Sequence, residues 1–335
     1  MIAPSTFTAF IVEENEPQKF SYRVGKRSIT DLPEGELLVK VHYSSLNYKD
    51  ALSATGQFGI TKKYPHTPGI DVAGEVVECS NGAFKPGDKV IVTSYDLGMD
   101  TPGGYGQYIR VPSCWALPLP EGLSMRESMV LGTAGLTAGM CVWKLVRNGV
   151  LPKDGDILVT GATGGVGSVA VAILAKAGYR VIASTGKSSE KDYLLAIGAA
   201  EVIGREEVVV GADQPLMAER WAGVVDVVGG ETLGAAIKAT KYDGTVTCCG
   251  LVGSLEMPVG VLPFILRGVS LLGVDSVQCG MATRRLVWEK LAGEWKLDNL
   301  ETIAQDCSLQ NLEKEIHAIL KGQVRGRVVL NLLEC

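Results

Sequence analysis

The feature that most constrains this chain is an apolar run that ends in a cluster of glycines and continues at once as an apolar helical pattern. The run at 156–159 leads into Gly-Ala-Thr-Gly-Gly-Val-Gly at 161–167, and residues rich in Ala, Val and Leu follow to Ala177. This order predicts a strand, a tight turn and a helix. Glycines let the backbone approach a pyrophosphate, and the start of a helix favours negative charge. A nucleotide is therefore expected at this turn.

The dinucleotide fingerprint GxGxxG fits this turn with Ala162 at its first position and with Gly164 and Gly167 at the second and third. Alone the match is weak, because a glycine turn occurs in any parallel α/β domain. A strand-like run at 179–184 and a helical pattern at 192–197 follow. The order strand, helix, strand, helix therefore favours nucleotide binding over a purely structural turn.

The end of the second strand indicates which nucleotide binds. A site that prefers NAD places Asp or Glu there to accept from the ribose 2′-hydroxyl, whereas a 2′-phosphate requires hydroxyls and cations. The sequence reads Ser184-Thr185-Gly186-Lys187, with no acid before Glu190. This pattern favours NADPH, although Lys187 without its position at the strand end would be interpreted as a solvated loop lysine.

Length and charge exclude several classes of protein. With 335 residues, 46% of them hydrophobic, the chain is long enough for two domains with separate cores. The 32 basic and 37 acidic residues give a net charge of -5, so no nucleic-acid partner is expected. No apolar run approaches the ~20 residues of a membrane span. The N-terminus also lacks a charged start followed by an apolar core, so we expect a cytoplasmic protein with no membrane partner.

The residues outside the glycine turn predict a second kind of domain. Up to about Pro120 short apolar runs alternate with turn clusters, which predicts an antiparallel β domain. The pattern at 124–127 is a capping box that begins a helix. Strands and helices then alternate to about Val269, which predicts a doubly wound parallel sheet in an α/β fold. A last strand at 327–332 follows helical patterns, and we expect it to return to the first domain.

Taken together, these stretches resemble the zinc-independent medium-chain dehydrogenases/reductases, and within them the acrylyl-CoA reductase group of the YhdH/AcuI type, whose members are also labelled quinone oxidoreductases. The resemblance covers almost the whole chain. It implies a GroES-like catalytic domain at 1–124 and 270–335 and an NADPH-binding Rossmann domain at 125–269. The motifs that carry it are SLNYKDAL at 45–52, PGID at 68–71, GTAGLTA at 132–138, TGATGGVG at 160–167, PFILRGV at 263–269 and GVDSV at 273–277.

The resemblance also permits a test for zinc. Zinc-dependent members carry Cys, His and Cys as catalytic ligands, and the matching positions here are Asn47, Ile70 and Thr133. Asn and Thr are poor zinc ligands and Ile is none, so no metal is expected. Hydride transfer without a Lewis acid suits the reduction of a C=C bond conjugated to a carbonyl or thioester.

The resemblance assigns roles to particular residues. Tyr48 is the candidate catalytic residue and a cofactor contact, as a proton donor or as a polar part of the pocket wall. Asn47 and Asp50 are expected to orient its loop. The remaining expected cofactor contacts fall at the pyrophosphate, the 2′-phosphate and the nicotinamide half: Thr163, Gly164, Gly165, Val166, Thr185, Gly186, Lys187, Arg205, Leu251, Ile265 and Ser276.

These features predict an NADPH-dependent oxidoreductase that reduces the C=C bond of an α,β-unsaturated acyl thioester such as acrylyl-CoA. One alternative is an NADPH:quinone oxidoreductase, since the same site can pass hydride to a flat quinone. An alternative of another class is a non-catalytic NADPH-binding protein. The family habit implies a homodimer.

Overall fold

The structure is a computed structural model that describes residues 3–57 and 59–333. Met1 and Ile2, which belong to the N-terminal stretch considered for a leader, lie outside these ranges. Two compact units share the chain. The first unit comprises Met1–Thr133, Val277–Arg285 and Ala304–Cys335, and the second comprises Ala134–Ser276 and Leu286–Ile303.

In the described residues the strands are β1 Thr6–Glu16, β2 Lys19–Ser28, β3 Leu37–Leu46, β4 Asp71–Cys79, β5 Lys89–Thr93, β6 Tyr108–Val111, β7 Ala116–Pro118, β8 Asp156–Val159, β9 Val181–Thr185, β10 Glu201–Gly204, β11 Trp221–Asp226, β12 Thr240–Cys248, β13 Ser270–Gly273, β14 Ala304–Cys307 and β15 Arg327–Asn331. The α-helices are α1 Tyr48–Ala54, α2 Met125–Arg147, α3 Gly165–Lys176, α4 Lys191–Ala196, α5 Arg205–Val209, α6 Gly230–Lys238, α7 Leu262–Arg267, α8 Met281–Ala292 and α9 Leu312–Leu320.

The first unit is built on a seven-stranded sheet with the order β14-β15-β3-β4-β5-β7, in which β6 also pairs with β3. The pairing is antiparallel except between β14 and β15. The last strand, β15, lies beside β3, with Val328 opposite Leu46. The core of the first unit combines residues from the beginning and the end of the chain, including Val39, Val72, Val90, Ile316 and Val328.

The second unit contains a six-stranded sheet with the order β10-β9-β8-β11-β12-β13. All of its pairings are parallel. Strands buried on both faces of such a sheet form continuous apolar runs, and Ile157, Leu158 and Val159 of β8 are fully buried. Numbered from β8, the order is 3-2-1-4-5-6, the doubly wound order of dinucleotide-binding folds. The predicted α/β fold class is confirmed.

Helix α2 begins at the predicted capping box and is interrupted within its second turn. Ser124 N donates to the Glu127 carboxylate at 2.7 Å, and Glu127 N donates to Ser124 Oγ at 3.1 Å, which confirms the box. At Gly132 the backbone turns to φ 53°, ψ -153°, so two helical pieces meet there. Contrary to the sequence expectation, α2 is long and apolar enough to cross a membrane, with a mean hydropathy of 1.5 over 18 residues. However, 83% of that window is buried inside the protein.

Candidate active site

The glycine turn of the second unit connects β8 to α3. The left-handed residue of the turn is Gly161, at φ 56°, one position before Ala162, where the fingerprint places its first glycine. A side chain at Gly161 would be strained at this φ, and its Cβ would lie 2.8 Å from Val227 Cγ2. Ala162 N donates to the Ser184 carbonyl at 3.0 Å, which ties the turn to the end of β9. The tight turn therefore depends on Gly161 and tolerates Ala162.

The start of α3 offers free backbone donors. Gly164 occupies the N-cap position, and no side chain caps the helix. The first N–H groups of a helix have no intrahelical partner, so those of Gly165 and Val166 remain available to an anion. A Cβ at Gly167 would lie 2.4 Å from the Gly161 carbonyl oxygen, so only glycine lets the helix pack this closely on the turn.

The end of β9 lies against this turn. Thr163 Oγ1 is 3.5 Å from Thr185 Oγ1, and Thr185 Oγ1 accepts from Lys187 N at 3.0 Å. Lys187 is half-buried. Burial lowers the pKa of its ammonium, and Glu190 acts in the opposite direction. An anion bound at this lysine would offset the loss of hydration.

Arg205 supplies a second cation at the same place. It is the first residue of α5, directly after β10, and its side chain is exposed. A Cβ placed on Gly186 would lie 3.1 Å from both Arg205 Cδ and Arg205 Nε, so the guanidinium group packs over the Gly186 backbone. Within residues 3–57 and 59–333 no acid pairs with Arg205. The structure thus brings Thr163, Thr185, Gly186, Lys187 and Arg205 together.

The three residues expected around the nicotinamide half lie further along the same unit. Leu251 follows the end of β12 and is 59% exposed, and Ser276 follows the end of β13 and is buried. Ser276 Oγ accepts from Thr137 Oγ1 at 2.6 Å. Ile265 lies on α7, between these two strands in the chain, with an exposed side chain. Leu251 and Ser276 therefore lie at the carboxyl edge of the sheet. Ile265 lies on a helix and does not follow a strand end, so the strand order does not put it at that edge.

The carboxyl edge of this sheet fits a phosphate-bearing dinucleotide. Ligands of doubly wound sheets bind where the strand order reverses, which is between β8 and β11 here. Thr160 Oγ1 donates to the Asp226 carboxylate at 2.7 Å across that point, and Gly229 N donates to the same carboxylate at 2.7 Å. Burial raises the pKa of Asp226. Uncapped N–H groups and two cations, Lys187 and Arg205, lie on this side of the unit.

Tyr48 lies in the first unit, at the first position of α1. Its side chain is 39% exposed, and its hydroxyl makes no hydrogen bond within the part of the chain that the structure describes. The helix start is held by Asp50, whose carboxylate accepts from Asn47 N at 2.8 Å. The phenol is therefore available to a ligand, on a helix end whose backbone is fixed.

Beneath this helix start a buried carboxylate gathers several donors. Asp71, at the start of β4, is fully buried. It accepts from Ser45 Oγ at 2.7 Å, from Asn47 Nδ2 at 2.7 Å, and from Thr133 Oγ1 at 2.6 Å. Thr133 N donates to the same carboxylate at 2.9 Å. Because buried charge is stable only when it is paired, Asp71 organises the side chains around it.

A second buried carboxylate, Asp50, accepts from Gly69 N at 3.1 Å, Ile70 N at 2.8 Å and Tyr105 Oη at 3.0 Å. Burial, assisted by the negative charge of Asp71, raises the pKa of Asp50 to about 7. Burial and the neighbouring Asp50 likewise raise the pKa of Tyr105. Tyr105 is therefore neutral, and it serves as a hydrogen-bond donor.

Arg327 is the cation of this network, at the first position of β15 and 2% exposed. Its guanidinium lies 3.6 Å from the Asp71 carboxylate. Burial lowers the pKa of Arg327, and Asp71 opposes that effect. We call the set Ser45, Asn47, Asp50, Asp71, Tyr105, Thr133 and Arg327 the buried polar network.

The three positions matched to zinc ligands meet in one place, because Asn47 and Thr133 contact Asp71 and Ile70 precedes it in the chain. Asn47 Nδ2 and Thr133 Oγ1 both donate to that carboxylate, and Ile70 offers no donor atom. The side-chain oxygen Oδ1 of Asn47 accepts from Arg327 at 3.2 Å. Lone pairs committed to donors, next to a guanidinium cation, do not fit Zn²⁺. Among the described residues no group of three His, Cys, Asp or Glu could hold a metal ion.

Comparison with known proteins agrees with this architecture. Residues 33–121 match the family described as the alcohol dehydrogenase GroES-like domain, and residues 165–292 match the one described as zinc-binding dehydrogenase. A GroES-like part combined with a doubly wound dinucleotide sheet defines a medium-chain dehydrogenase/reductase.

Three relatives narrow this class. "Acrylyl-CoA reductase AcuI" of Ruegeria pomeroyi is 46% identical over 97% of this chain and 99% of its own length. "Putative quinone oxidoreductase YhfP" of Bacillus subtilis is 45% identical over 98% and 100%, and a crystal structure of YhfP with NAD bound has a TM-score of 0.95. The yhdH oxidoreductase of Salmonella enterica in complex with NADP has a TM-score of 0.94 and 40% identity, over 97% of this chain and 99% of that one. The chain belongs to this zinc-independent family of medium-chain dehydrogenases/reductases.

Sequence reasoning found the glycine turn but missed the importance of Arg327 and Asp71. It treated Arg327 as the start of a strand and Asp71 as part of a family motif. A signal was present, since each is a charged residue at the edge of an apolar strand. A charge placed there is buried on folding and needs a partner of opposite sign.

Proposed function

We propose that this protein reduces the C=C bond of an α,β-unsaturated acyl thioester of the acrylyl-CoA type, with NADPH as the reductant. The observation that carries the proposal is the commitment of Asn47 and Thr133 to Asp71, at positions where metal-dependent relatives hold zinc. Without a Lewis acid at these positions, a conjugated C=C bond is a better hydride acceptor than an isolated carbonyl. The 46% identity to a protein named acrylyl-CoA reductase supports the same substrate class.

The cofactor contacts proposed in the second unit are supported by the geometry of its carboxyl edge, except that Ile265 rests on the family resemblance alone. NADPH supplies the hydride when it is bound. The N–H groups of Gly165 and Val166, with the backbone of Thr163 and Gly164, bind the pyrophosphate. Thr185, Gly186, Lys187 and Arg205 surround the 2′-phosphate, and Leu251, Ile265 and Ser276 contact the nicotinamide half. NADP in the Salmonella enterica relative supports this cofactor.

Tyr48 is the proposed catalytic residue. Hydride addition at the β-carbon leaves an enolate, which needs a hydrogen bond at its oxygen and a proton at its α-carbon. The Tyr48 hydroxyl is free of hydrogen bonds within the described residues, so it can donate to the substrate at either step. The hydrogen bond that Asn47 N donates to the Asp50 carboxylate keeps the helix start in place during that transfer.

The substrate proposal is tested by steady-state NADPH oxidation with acrylyl-CoA, longer enoyl-CoAs and simple quinones. We expect the largest kcat/KM with a short enoyl-CoA. The name of YhfP favours a quinone as the second candidate. A kcat/KM for quinones that equals or exceeds that for every enoyl-CoA would reject the thioester in favour of quinone reduction.

The role of Tyr48 is tested by Tyr48→Phe. We expect kcat to fall at least ~10-fold, because a proton donor is lost, and the KM for NADPH to stay within about twofold. The midpoint of urea unfolding should not change, since the hydroxyl has no partner to lose. Tyr242→Phe, at a 68% exposed tyrosine of the second unit, is the matched control. An unchanged kcat in Tyr48→Phe would reduce this hydroxyl to part of the pocket wall.

We further propose a homodimer through the second unit. Strand β13 is an edge of the parallel sheet, and large apolar side chains are exposed in the residues that precede it, namely Val252, Leu255, Val261 and Leu266. A second copy related by twofold symmetry can cover this patch with the same surface. Sedimentation of Leu255→Glu as a monomer would support this assembly, with Val210→Glu as a control at an exposed valine elsewhere in the unit. A wild-type monomer would contradict it.

We propose a cytoplasmic location. Six of the described cysteines form no disulfide, namely Cys79, Cys114, Cys141, Cys248, Cys249 and Cys307. Reduced thiols are typical of a reducing compartment. Cell fractionation with antibody detection tests this, and recovery in an envelope fraction would contradict it.

A further inference from the structure

The buried polar network places two carboxyl groups and one guanidinium group in the interior of the first unit. Asp50 and Asp71 are fully buried, and among the described residues the cation beside Asp71 is Arg327, which lies 3.6 Å from that carboxylate. Removing one partner from a buried ion pair leaves an uncompensated charge at high cost. The arrangement of this network therefore depends on the position of a single guanidinium group.

That guanidinium joins three elements of the first unit. From the start of β15, Arg327 donates to the Leu46 carbonyl at 3.1 Å and to Asn47 Oδ1 at 3.2 Å, at the end of β3. It donates to Ser45 Oγ at 2.8 Å on the same strand, and its Nε donates to the Val130 carbonyl of α2 at 3.0 Å. The residue that follows Leu46 and Asn47 is Tyr48. The contacts of Arg327 thus end at the backbone that carries the proposed catalytic phenol.

The break in α2 is shaped by the same group of atoms. A Cβ on Gly132 would lie 2.3 Å from Asp71 Oδ2 and 3.0 Å from Arg327 Nη2, so only glycine lets the backbone pass here. Its left-handed φ turns the chain so that Thr133 N points at Asp71, 2.9 Å away. Because the break in α2 lets Thr133 N donate to Asp71, the network receives hydrogen bonds from α2 as well as from β3 and β15.

We propose that Arg327 is a positioning residue for the reaction: through Leu46, Asn47 and Asp71 it fixes the 45–50 segment and therefore the place of the Tyr48 hydroxyl. The inference rests on the proposed function of Tyr48. Lysine cannot replace it, because one ammonium cannot reach a carboxylate, two backbone carbonyl groups, an amide oxygen and a hydroxyl in the fork geometry of a guanidinium.

The test is Arg327→Lys, compared with wild type by steady-state kinetics and by amide hydrogen exchange. We expect kcat per NADPH-binding site to fall ~10- to 100-fold, because a displacement of about 1 Å at a reacting group has an effect of that size. The KM for NADPH should stay within about twofold, since the proposed contacts to the cofactor phosphates belong to the second unit. Exchange at 46–54 should accelerate at least ~10-fold, while exchange at 165–176 should not change.

Two further variants make the outcome decisive. Arg126→Lys is the matched control, since Arg126 pairs with Asp306 at 2.9 Å at the surface of the same unit, and we expect wild-type values from it. If Arg327→Lys does not fold, Asp71→Asn replaces it, because this change keeps the shape and removes the charge that Arg327 faces. Exchange at 46–54 that equals wild type in a folded variant would overturn the proposal, whatever its kcat. A wild-type enzyme inactive with all enoyl-CoAs and quinones would instead reject the proposed function, and exchange would still decide the positioning.

Discussion

The glycine turn of the second unit and the buried polar network of the first unit are built in opposite ways. The turn at 161–167 offers backbone N–H groups and has few side chains, since Gly161 and Gly167 leave no room for a Cβ. The network consists of side chains from β3, β4, α1, α2 and β15. The turn is continuous in sequence, whereas Asp71 and Arg327 are brought together only by the fold.

The two regions also differ in how far their charges are satisfied. In the turn, the α3 start is uncapped and Arg205 has no acidic partner among the described residues, so both remain open to an anion. In the network, Asp71 accepts from Ser45, Asn47 and Thr133, and Arg327 is surrounded by acceptors. The surroundings of the glycine turn, whose donors and cation lack partners in the protein, are therefore suited to binding a ligand. The buried polar network, whose charges are satisfied, is suited to holding the protein's own residues in place.

The largest effect is expected from a substitution that disrupts the glycine turn and leaves the buried polar network intact. In Gly167→Val the new Cβ would lie 2.4 Å from the Gly161 carbonyl oxygen and 2.7 Å from Ala162 Cα, and backbone atoms cannot yield without moving the turn. We expect the Kd for NADPH to rise at least ~100-fold, measured by fluorescence titration. Gly260→Ala is the control, since no atom lies within 4 Å of that Cβ and its backbone is not in the left-handed region. NADPH binding equal to wild type in Gly167→Val would contradict the role of the turn.

The next largest expected effect is a pH dependence of the free energy of unfolding that arises in the buried polar network. The pKa of Asp50 is about 7 in the folded protein, against an ordinary 3.8. Between these values the folded state holds a proton that the unfolded state has lost, so the free energy of unfolding falls as the pH rises towards 7. Between pH 5 and pH 8 the loss is about 2.5 kcal/mol, at about 1.36 kcal/mol per pH unit.

Urea unfolding at both pH values checks this against Asp50→Asn, which cannot titrate and should lack that loss. His66, whose pKa is lowered to about 4 by burial, contributes a change of the opposite sign. That contribution is common to both proteins and cancels in their difference. Equal pH dependence of wild type and Asp50→Asn would show that Asp50 remains ionised in the folded state.

A smaller effect is expected from the two cations beside the glycine turn. The double variant Lys187→Ala with Arg205→Ala should raise the KM for NADPH ~30-fold, since two charged contacts to the 2′-phosphate are lost in a partly exposed site. The KM for NADH should change less than about twofold. Lys191→Ala, at the start of the next helix, is the control. The comparison is informative because the relative YhfP has been crystallised with NAD, and equal changes for both cofactors would reject the phosphate contact.

The sequence predicted the parts of this molecule whose physics is local. The β8 strand, the glycine turn and the start of α3 follow from one continuous stretch, because apolar periodicity and glycine freedom act over a few residues. The capping box of α2 was predicted for the same reason. The fingerprint erred by one position, placing the first glycine at Ala162, because the backbone angle that selects glycine at Gly161 is not visible in the pattern.

The sequence by itself therefore determined the α/β fold class, the family and the place of the nucleotide turn. Only the tertiary structure decided that Asp71 joins Ser45, Asn47, Thr133 and Arg327, since these residues are up to 282 positions apart and meet through the pairing of β15 with β3. This assembly buries Asp50 and brings Asp71 close to it, and burial first, with the charge of Asp71 second, raises the pKa of Asp50. Electrostatic coupling depends on distance in space and on lost hydration, and neither can be read from the order of residues along the chain.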